Sequence, residues 1–140
     1  MRKYDVASDH FRQALKKAPD DYVALCMMSI SNLAQKQYAV GRQYAEMAQT
    51  VYPQEAQSYH LSGFANIQLK DFEKAYEEFN ACERLLPENP NTIFFKGYCQ
   101  EGLNQIDQAA NEYHRYLQVI RQGQYAQHAY KRLVDWGYIK

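Results

Sequence analysis

The sequence has 140 residues, which is enough for one compact domain with its own core. Its 16 Lys and Arg residues balance its 16 Asp and Glu residues without forming a basic run, so no nucleic-acid-binding surface is predicted. Apolar stretches fall far short of the roughly 20 residues that cross a bilayer, so no membrane span or targeting segment is predicted either.

Cysteine and histidine usage gives no sign of metal or redox chemistry. Cys26, Cys82 and Cys99 share no CxxC spacing and have apolar neighbours, so they are predicted to be small core residues. A bridge between Cys82 and Cys99 stays open, as does the choice between a cytoplasmic and a periplasmic location. The four histidines lack the paired spacing of a metal site: His10, His60, His114 and His128. Neither a metal nor a cofactor is therefore predicted.

The prolines indicate an internal repeat. Pro19, Pro53 and Pro87 are spaced 34 residues apart, a period typical of helical hairpin repeats. Each period contains two segments whose apolar residues have amphipathic-helix spacing. Asn89 before Pro90 has the form of a helix start. The sequence predicts eight helices, at about residues 4–17, 21–35, 38–51, 55–69, 72–85, 90–103, 106–120 and 124–137.

Small residues recur at fixed positions of the repeat when each repeat is numbered from Tyr22, Ala56 or Pro90. Position 8 holds a small residue in all three repeats, which allows two helices to approach closely: Ser29, Gly63 and Gly97. Position 20 is also small throughout: Ala7, Gly41, Ala75 and Ala109.

This register resembles the tetratricopeptide repeat family over essentially the whole chain. The best-matching unit comprises Tyr59, Gly63, Phe72, Ala75, Phe79, Cys82 and Pro87. The sequence departs from the family pattern in three places. Position 7 holds Met28, Ser62 and Lys96, and position 11 holds Asn32, Asn66 and Gln100. Arg121 replaces the proline that would end the third repeat. At these positions we expect hairpin contacts that differ from the family pattern.

The resemblance implies an all-α fold, a right-handed superhelix of antiparallel hairpins. The chain then forms one domain over residues 1–140: a second helix of an incomplete repeat at 1–19, repeats at 22–55, 56–89 and 90–123, and a capping helix at 124–140. We expect Met1 to be an introduced start within a larger bacterial protein, with a lone natural capping helix as the alternative, and Lys140 to be the natural end. The first helix would expose an apolar stripe and favour self-association: Tyr4, Ala7, Phe11 and Ala14.

The resemblance also implies that the first helix of each hairpin lines a concave groove that binds a protein or peptide. The predicted groove residues are Val23, Cys26, Ile30, Leu33, His60, Phe64, Ile67, Phe94, Tyr98, His128 and Arg132. Aromatic anchors should dominate binding, with His60 and Arg132 fixing polar groups of the ligand. An intramolecular cover from the rest of a longer chain is the alternative occupant of this groove.

Relatives that bind acidic chaperone tails carry a clamp of Lys, Asn and Arg, which is missing here. The corresponding positions hold Cys26, Ile30, Leu61 and Phe95. Motifs of hydrolases, metalloproteases and phosphate-binding loops are also missing. The sequence therefore predicts a non-catalytic interaction module for a largely apolar segment. The alternatives are a substrate-recruiting or regulatory C-terminal domain of a larger enzyme, such as an M48-type metalloprotease, and a secretion-type chaperone.

Overall fold

A computed structural model describes the backbone of residues 2–139 and the side chains of residues 8–139. Met1, Lys140 and the side chains of Tyr4 and Ala7 lie outside this range, and so do the predictions made on them. The eight predicted helices are confirmed, with ends that differ by about two residues or fewer. They are α1 (Arg2–Lys17), α2 (Tyr22–Ala34), α3 (Tyr38–Val51), α4 (Ala56–Gln68), α5 (Phe72–Leu85), α6 (Pro90–Gly102), α7 (Ile106–Val119) and α8 (Gln124–Asp135).

The helices form a right-handed superhelix of antiparallel hairpins, as predicted. Each helix packs on the next one along the chain, and α2 also contacts α4. The first helices of successive hairpins lie on one side: α2 contacts α4, and α4, α6 and α8 line one cavity; we call the surface formed by these four helices the concave surface. Helices of three to four turns are marginal alone, so each is stabilised by burying its apolar stripe on its neighbours.

The glycines at position 8 allow the two helices of a hairpin to touch. A Cβ on Gly63 would lie 2.7 Å from Cε2 of Phe79, and one on Gly97 would lie 2.8 Å from Cε1 of Tyr113. The predicted close helix contacts at both glycines are therefore confirmed. Ser29 takes this position in the first repeat, and its hydroxyl donates to the carbonyl of Gly41 at 2.8 Å.

Turns within the hairpins also repeat in register. Lys36, Lys70 and Asn104, spaced 34 residues apart, all have left-handed backbone geometry with φ between 62° and 65°. Side chains cap several helix starts: Asp21 accepts from the amide of Ala24, and Asn89 accepts from an amide of the first turn of α6. The left-handed turn reverses the chain between the two helices, so each hairpin closes in the same way.

The core is richest in rings toward the C-terminal half. Phe79 and Phe95 stack with centroids 5.2 Å apart, and Phe94 stacks on Tyr113 at 5.6 Å. All three cysteines are buried and unpaired, as predicted for core residues. Burial raises the pKa of the Cys82 and Cys99 thiols to about 12, so both stay protonated at neutral pH.

Polar residues at positions 7 and 11 form contacts between successive hairpins. Lys96 is only 7% exposed, and its Nζ lies 2.6 Å from a carboxylate oxygen of Glu83 on α5. Asn66, fully buried on α4, accepts a hydrogen bond from Arg42 on α3 at 3.1 Å. The departures from the family pattern thus introduce paired polar groups at the hairpin interfaces rather than leaving all of them unsatisfied.

The first helix keeps part of its apolar face open. Phe11 and Ala14 are half-buried, whereas the residues at the same positions two repeats later, Phe79 and Cys82 of α5, are fully enclosed. The difference arises because α1 makes its main helix contact with α2, whereas α5 packs between α4 and α6. Self-association through this face stays a prediction.

Candidate functional site

A cavity of about 340 Å³ opens on the concave surface between α4, α6 and α8. Rings and amides dominate its lining, and no Asp, Glu, Lys or Arg side chain contributes to it. We call this the aromatic cavity; its lining residues are Phe64, Ile67, Gln68, Phe94, Phe95, Tyr98, Gln124, Tyr125 and His128. Such a surface favours the burial of an apolar group, with amides at hand for backbone hydrogen bonds.

Ring packing holds the walls of the aromatic cavity in place. Phe94 stacks on Tyr125 of α8 with centroids 4.5 Å apart, and Phe95 meets the same tyrosine edge-on at 5.3 Å. Tyr98, one turn along α6, lies 6.1 Å from Phe94 and 5.5 Å from His128. These contacts tie α8 to α6, so the cavity needs no rearrangement to present its rings.

A carboxylate behind the cavity fixes His128. Nε2 of His128 lies 2.9 Å from Oε1 of Glu101, and the hydroxyl of Tyr113 donates to that oxygen at 2.7 Å. Burial tends to raise the pKa of Glu101, but His128, Tyr113 and Arg132 together lower it below its ordinary value. Because the ionised carboxylate can only accept, Nε2 of His128 is the donor.

Arg132 is engaged in ion pairs away from the cavity. Its Nε lies 2.8 Å from Oε2 of Glu101, without the alignment of a hydrogen bond, and its Nη1 lies 3.5 Å from Asp135. Arg132 is also missing from the cavity lining. In this structure Arg132 therefore orients Glu101, and the expectation that it fixes a polar group of the ligand stays a prediction.

The structure brings five of the predicted groove residues together in the aromatic cavity: Phe64, Ile67, Phe94, Tyr98 and His128. Their exposure differs, because Phe94 is 2% exposed while Phe64, Tyr98 and His128 are half-buried. Phe94, a predicted groove residue, forms the buried floor beneath Tyr125. Only the half-buried members can lose much water-exposed surface to a ligand.

The predicted residues of the first repeat do not join this cavity. Cys26 is 2% exposed and packs with Leu25 and Ala48, and Leu33 is buried against Gly41. Both belong to the core because the neighbouring helices close over them. Val23 is 65% exposed and Ile30 is half-buried, so both remain accessible on α2. Neither residue lines the cavity.

His60 lines a neighbouring cavity of about 390 Å³ together with Leu61 and Leu86. Its ring meets Phe79 and Phe95 edge-on, with centroids 5.4 and 5.5 Å away. Burial lowers the pKa of this imidazole, so it is neutral at physiological pH. His60 therefore packs on rings beside the aromatic cavity, and its expected contact with a polar group of the ligand stays a prediction.

Four lining residues of the cavity are not among the predicted groove residues: Gln68, Phe95, Gln124 and Tyr125. Phe95 lies at position 6, one residue from the predicted Phe94, and Gln124 opens α8. The signal for Phe95 in the sequence was the pair of adjacent phenylalanines, because both residues line the same cavity. The position of Gln124 depends on how α8 packs, which no local pattern encodes.

The described residues show neither membrane-spanning nor metal-binding features. Within residues 2–139, no helix combines the length and apolar character needed to cross a bilayer. Among the described side chains, no three His, Cys, Asp or Glu residues converge as metal ligands would.

Comparison with solved structures shows extensive similarity of fold at low sequence identity. MamA residues 41 to the end from Desulfovibrio magneticus RS-1 superposes with a TM-score of 0.87 at 14% identity, covering 96% of this chain and 76% of that one. The first TPR of Spaghetti (RPAP3), bound to the HSP90 peptide SRMEEVD, gives 0.77 at 15% identity, covering 84% and 94%. YrrB, described as a TPR protein with an unusual peptide-binding site, gives 0.81 at 15% identity, covering 94% and 68%.

No protein-family model and no curated protein matches the sequence. The shared architecture is therefore visible in the arrangement of helices and in the 34-residue register rather than in overall sequence identity. This chain has the fold of the tetratricopeptide-repeat proteins.

Proposed function

We propose that this chain is a non-catalytic binding module that holds a largely apolar peptide segment in its concave groove. The aromatic cavity carries the proposal, because aromatic rings line it and no Asp, Glu, Lys or Arg side chain does. An apolar side chain of the ligand would lie between Phe64 and Tyr98. Amides of Gln68 and Gln124 at the rim would pair with the backbone of the ligand.

The comparisons support peptide binding as the general activity. RPAP3 was solved with an HSP90 peptide and YrrB is described by its peptide-binding site, and both share the fold of this chain. The proposal for this chain differs in ligand chemistry. The positions of the clamp for acidic tails hold Cys26, Ile30, Leu61 and Phe95, none of which carries a positive charge to pair with a carboxylate.

The alternatives drawn from the sequence use the same groove. A recruiting domain of a larger enzyme and a chaperone for an apolar substrate would each bind an apolar segment in the aromatic cavity. We therefore propose the binding activity itself, which is common to all three.

The test is a titration of the whole chain with fluorescent peptides of two kinds, extended Leu- and Phe-containing segments and the acidic peptide SRMEEVD. We expect the apolar peptides to bind more tightly. Phe64→Ala or Tyr98→Ala should weaken binding by about 1 to 3 kcal/mol, as loss of a central aromatic anchor does. Raising the salt concentration should change affinity little, because the lining has few charges.

Val23→Ala is the matched control, since Val23 is exposed on the same surface but outside the cavity. It should bind as the wild type does, and circular dichroism should show all three variants folded. Tighter binding of SRMEEVD, or unchanged binding after both ring truncations, would show that the aromatic cavity is not the peptide site.

A further inference from the structure

A second cavity, of about 490 Å³, lies between α7 and α8 and shares no lining residue with the aromatic cavity. We call it the terminal trench. Leu117 of α7, Ala126 of α8 and Ile139 form its apolar lining, and Tyr130 stands at its edge with 52% of its surface exposed. Tyr138, the neighbour of Ile139, donates its hydroxyl to Asp107 on α7, so the wall that carries Ile139 is anchored to α7.

The repeat geometry shows what kind of element fits the terminal trench. One repeat earlier, α7 fills the corresponding space beside α5 and α6. There, Glu83 of α5 pairs with Lys96 of α6 at 2.6 Å and with Arg115 of α7 at 3.0 Å. Leu117 and Tyr130 are the residues 34 positions after Glu83 and Lys96. Among the described residues, no helix covers them, so the trench has the shape of a helix-binding groove.

The charges around the terminal trench favour an acidic occupant. Its ionisable lining groups include Arg121, which is exposed, and His114, and no carboxylate contributes to the lining. Nearby acids are engaged, because Asp135 pairs with Lys131 at 3.0 Å and Asp107 accepts from Tyr138. A helix with glutamates flanking its apolar stripe would place negative charge beside Arg121.

Shape adds a second requirement. Lys131 stands where Gly63 and Gly97 lie in the preceding repeats, and those glycines make room for rings of the second helix. A helix in the terminal trench must therefore present small residues toward Lys131. Its large apolar side chains would face Leu117 and Tyr130 instead.

These features disfavour a second copy of this chain as the occupant. Its α1 helix corresponds to a second helix of a hairpin, but it would bring Phe11, the counterpart of Phe79, against Lys131. The α1 helix also carries a net positive charge, which would meet the positive charge of Arg121 at the trench. Its basic residues are Arg2, Lys3, Arg12, Lys16 and Lys17, and its acidic residues are Asp5 and Asp9.

We propose that the terminal trench binds an acidic amphipathic helix of a partner protein, packed between α7 and α8 and independent of the peptide in the concave groove. The partner helix presents leucine-type side chains to Leu117 and Tyr130, small residues to Lys131, and carboxylates to Arg121. The site therefore adds a second interaction surface on the outer side of α8.

The experiment uses the whole chain and a synthetic, labelled helical peptide of about four turns. The peptide has leucines at i, i+3, i+4 and i+7 spacing, alanines beside them and glutamates elsewhere; a comparison peptide has lysine in place of each glutamate. Fluorescence anisotropy measures affinity, and methyl NMR shifts of Leu117, Ala126 and Ile139 locate the peptide. We expect the glutamate peptide to bind and to shift these methyl signals.

Variants at exposed positions test the contacts without disturbing the core. Arg121→Glu should weaken binding of the glutamate peptide roughly fivefold, and Tyr130→Ala roughly tenfold. Arg84→Glu reverses an exposed charge on α5 outside the trench and should leave affinity unchanged. Tyr98→Ala, which tests the concave groove, should also leave this titration unchanged, so the two proposals fail separately.

Several outcomes would overturn the proposal. One is equal affinity for the lysine and glutamate peptides, and another is an unchanged affinity for the glutamate peptide after Arg121→Glu. NMR shifts confined to the methyl groups of Ile67 would place the peptide in the aromatic cavity instead. A concentration-dependent dimer, seen by analytical ultracentrifugation and lost in Tyr130→Ala, would assign the terminal trench to a second copy of the chain.

Discussion

Arg42 donates a hydrogen bond from its guanidinium to Oδ1 of Asn66, 3.1 Å away, and the contact joins α3 to α4. The residues 34 positions later form the same kind of contact, because Gln100 donates from Nε2 to the hydroxyl of Tyr76 at 3.3 Å. Repeated geometry thus places a polar pair at equivalent points of two hairpin interfaces, although neither pair follows the family pattern at position 11.

Removing one partner of this pair should cost more than removing both. Arg42→Leu leaves buried Asn66 without its partner, and we expect the free energy of unfolding to fall by about 1 to 2 kcal/mol. Adding Asn66→Leu should recover much of that loss, because no unsatisfied amide remains. Urea denaturation of both singles and the double variant measures the coupling. Arg12→Ala, at an exposed ion pair, is the control, and strictly additive effects would contradict the prediction.

The left-handed turn at Lys70 should be improved by glycine. Its φ is 65°, a geometry that costs side-chain-bearing residues about 1 to 2 kcal/mol. Lys70→Gly removes that strain and keeps the amide that donates to the carbonyl of Ile67, so we expect a gain of roughly 0.5 to 1 kcal/mol. Thermal melting measures it. Asn104→Gly is the matched control and should gain less, because asparagine tolerates this geometry; a lower melting temperature for Lys70→Gly would refute the argument.

Adding side-chain volume at the hairpin contact should destabilise the fold. A Cβ at Gly63 would already lie 2.7 Å from Phe79, and Ala75 is fully buried on the facing helix. We expect Gly63→Leu or Ala75→Leu to cost roughly 1 to 3 kcal/mol in denaturant titrations. Ala39→Leu, at an exposed site on α3, should cost little. Unfolding curves unchanged by the first two substitutions would contradict the close packing of these helices.

His60 should make stability depend on pH near neutrality. Burial lowers the pKa of the folded imidazole below 6.5, so the unfolded chain binds the proton more readily. The free energy of unfolding should therefore fall as pH drops from about 6.5 toward the lower pKa of the folded state. His60→Phe should flatten the slope in this window, as measured by urea denaturation between about pH 7.5 and 5.5. His10→Gln, on an exposed histidine, should keep the wild-type slope; equal slopes in all three proteins would rule out this role for His60.

The groove was only partly predictable from the repeat positions. The family resemblance implies groove residues at position 9, which holds Ile30, Phe64 and Tyr98, and the structure places two of them in the aromatic cavity. Position 5 holds Cys26, His60 and Phe94. The structure places Cys26 in the core, His60 in a neighbouring cavity and Phe94 in the floor of the aromatic cavity. The register is the same for all three, but each meets different neighbours across the helix interface.

The sequence by itself determined the helices, their pairing into hairpins and the close contacts at Gly63 and Gly97. These features follow from spacing along the chain, because a 34-residue period brings the same side of each helix to the same neighbour. Only the tertiary structure decided that Phe94 lies beneath Tyr125, that Arg132 is engaged by Glu101, and that a trench remains between α7 and α8. Exposure and charge pairing depend on side chains that are distant in sequence, and helical periodicity specifies only the face on which each residue lies.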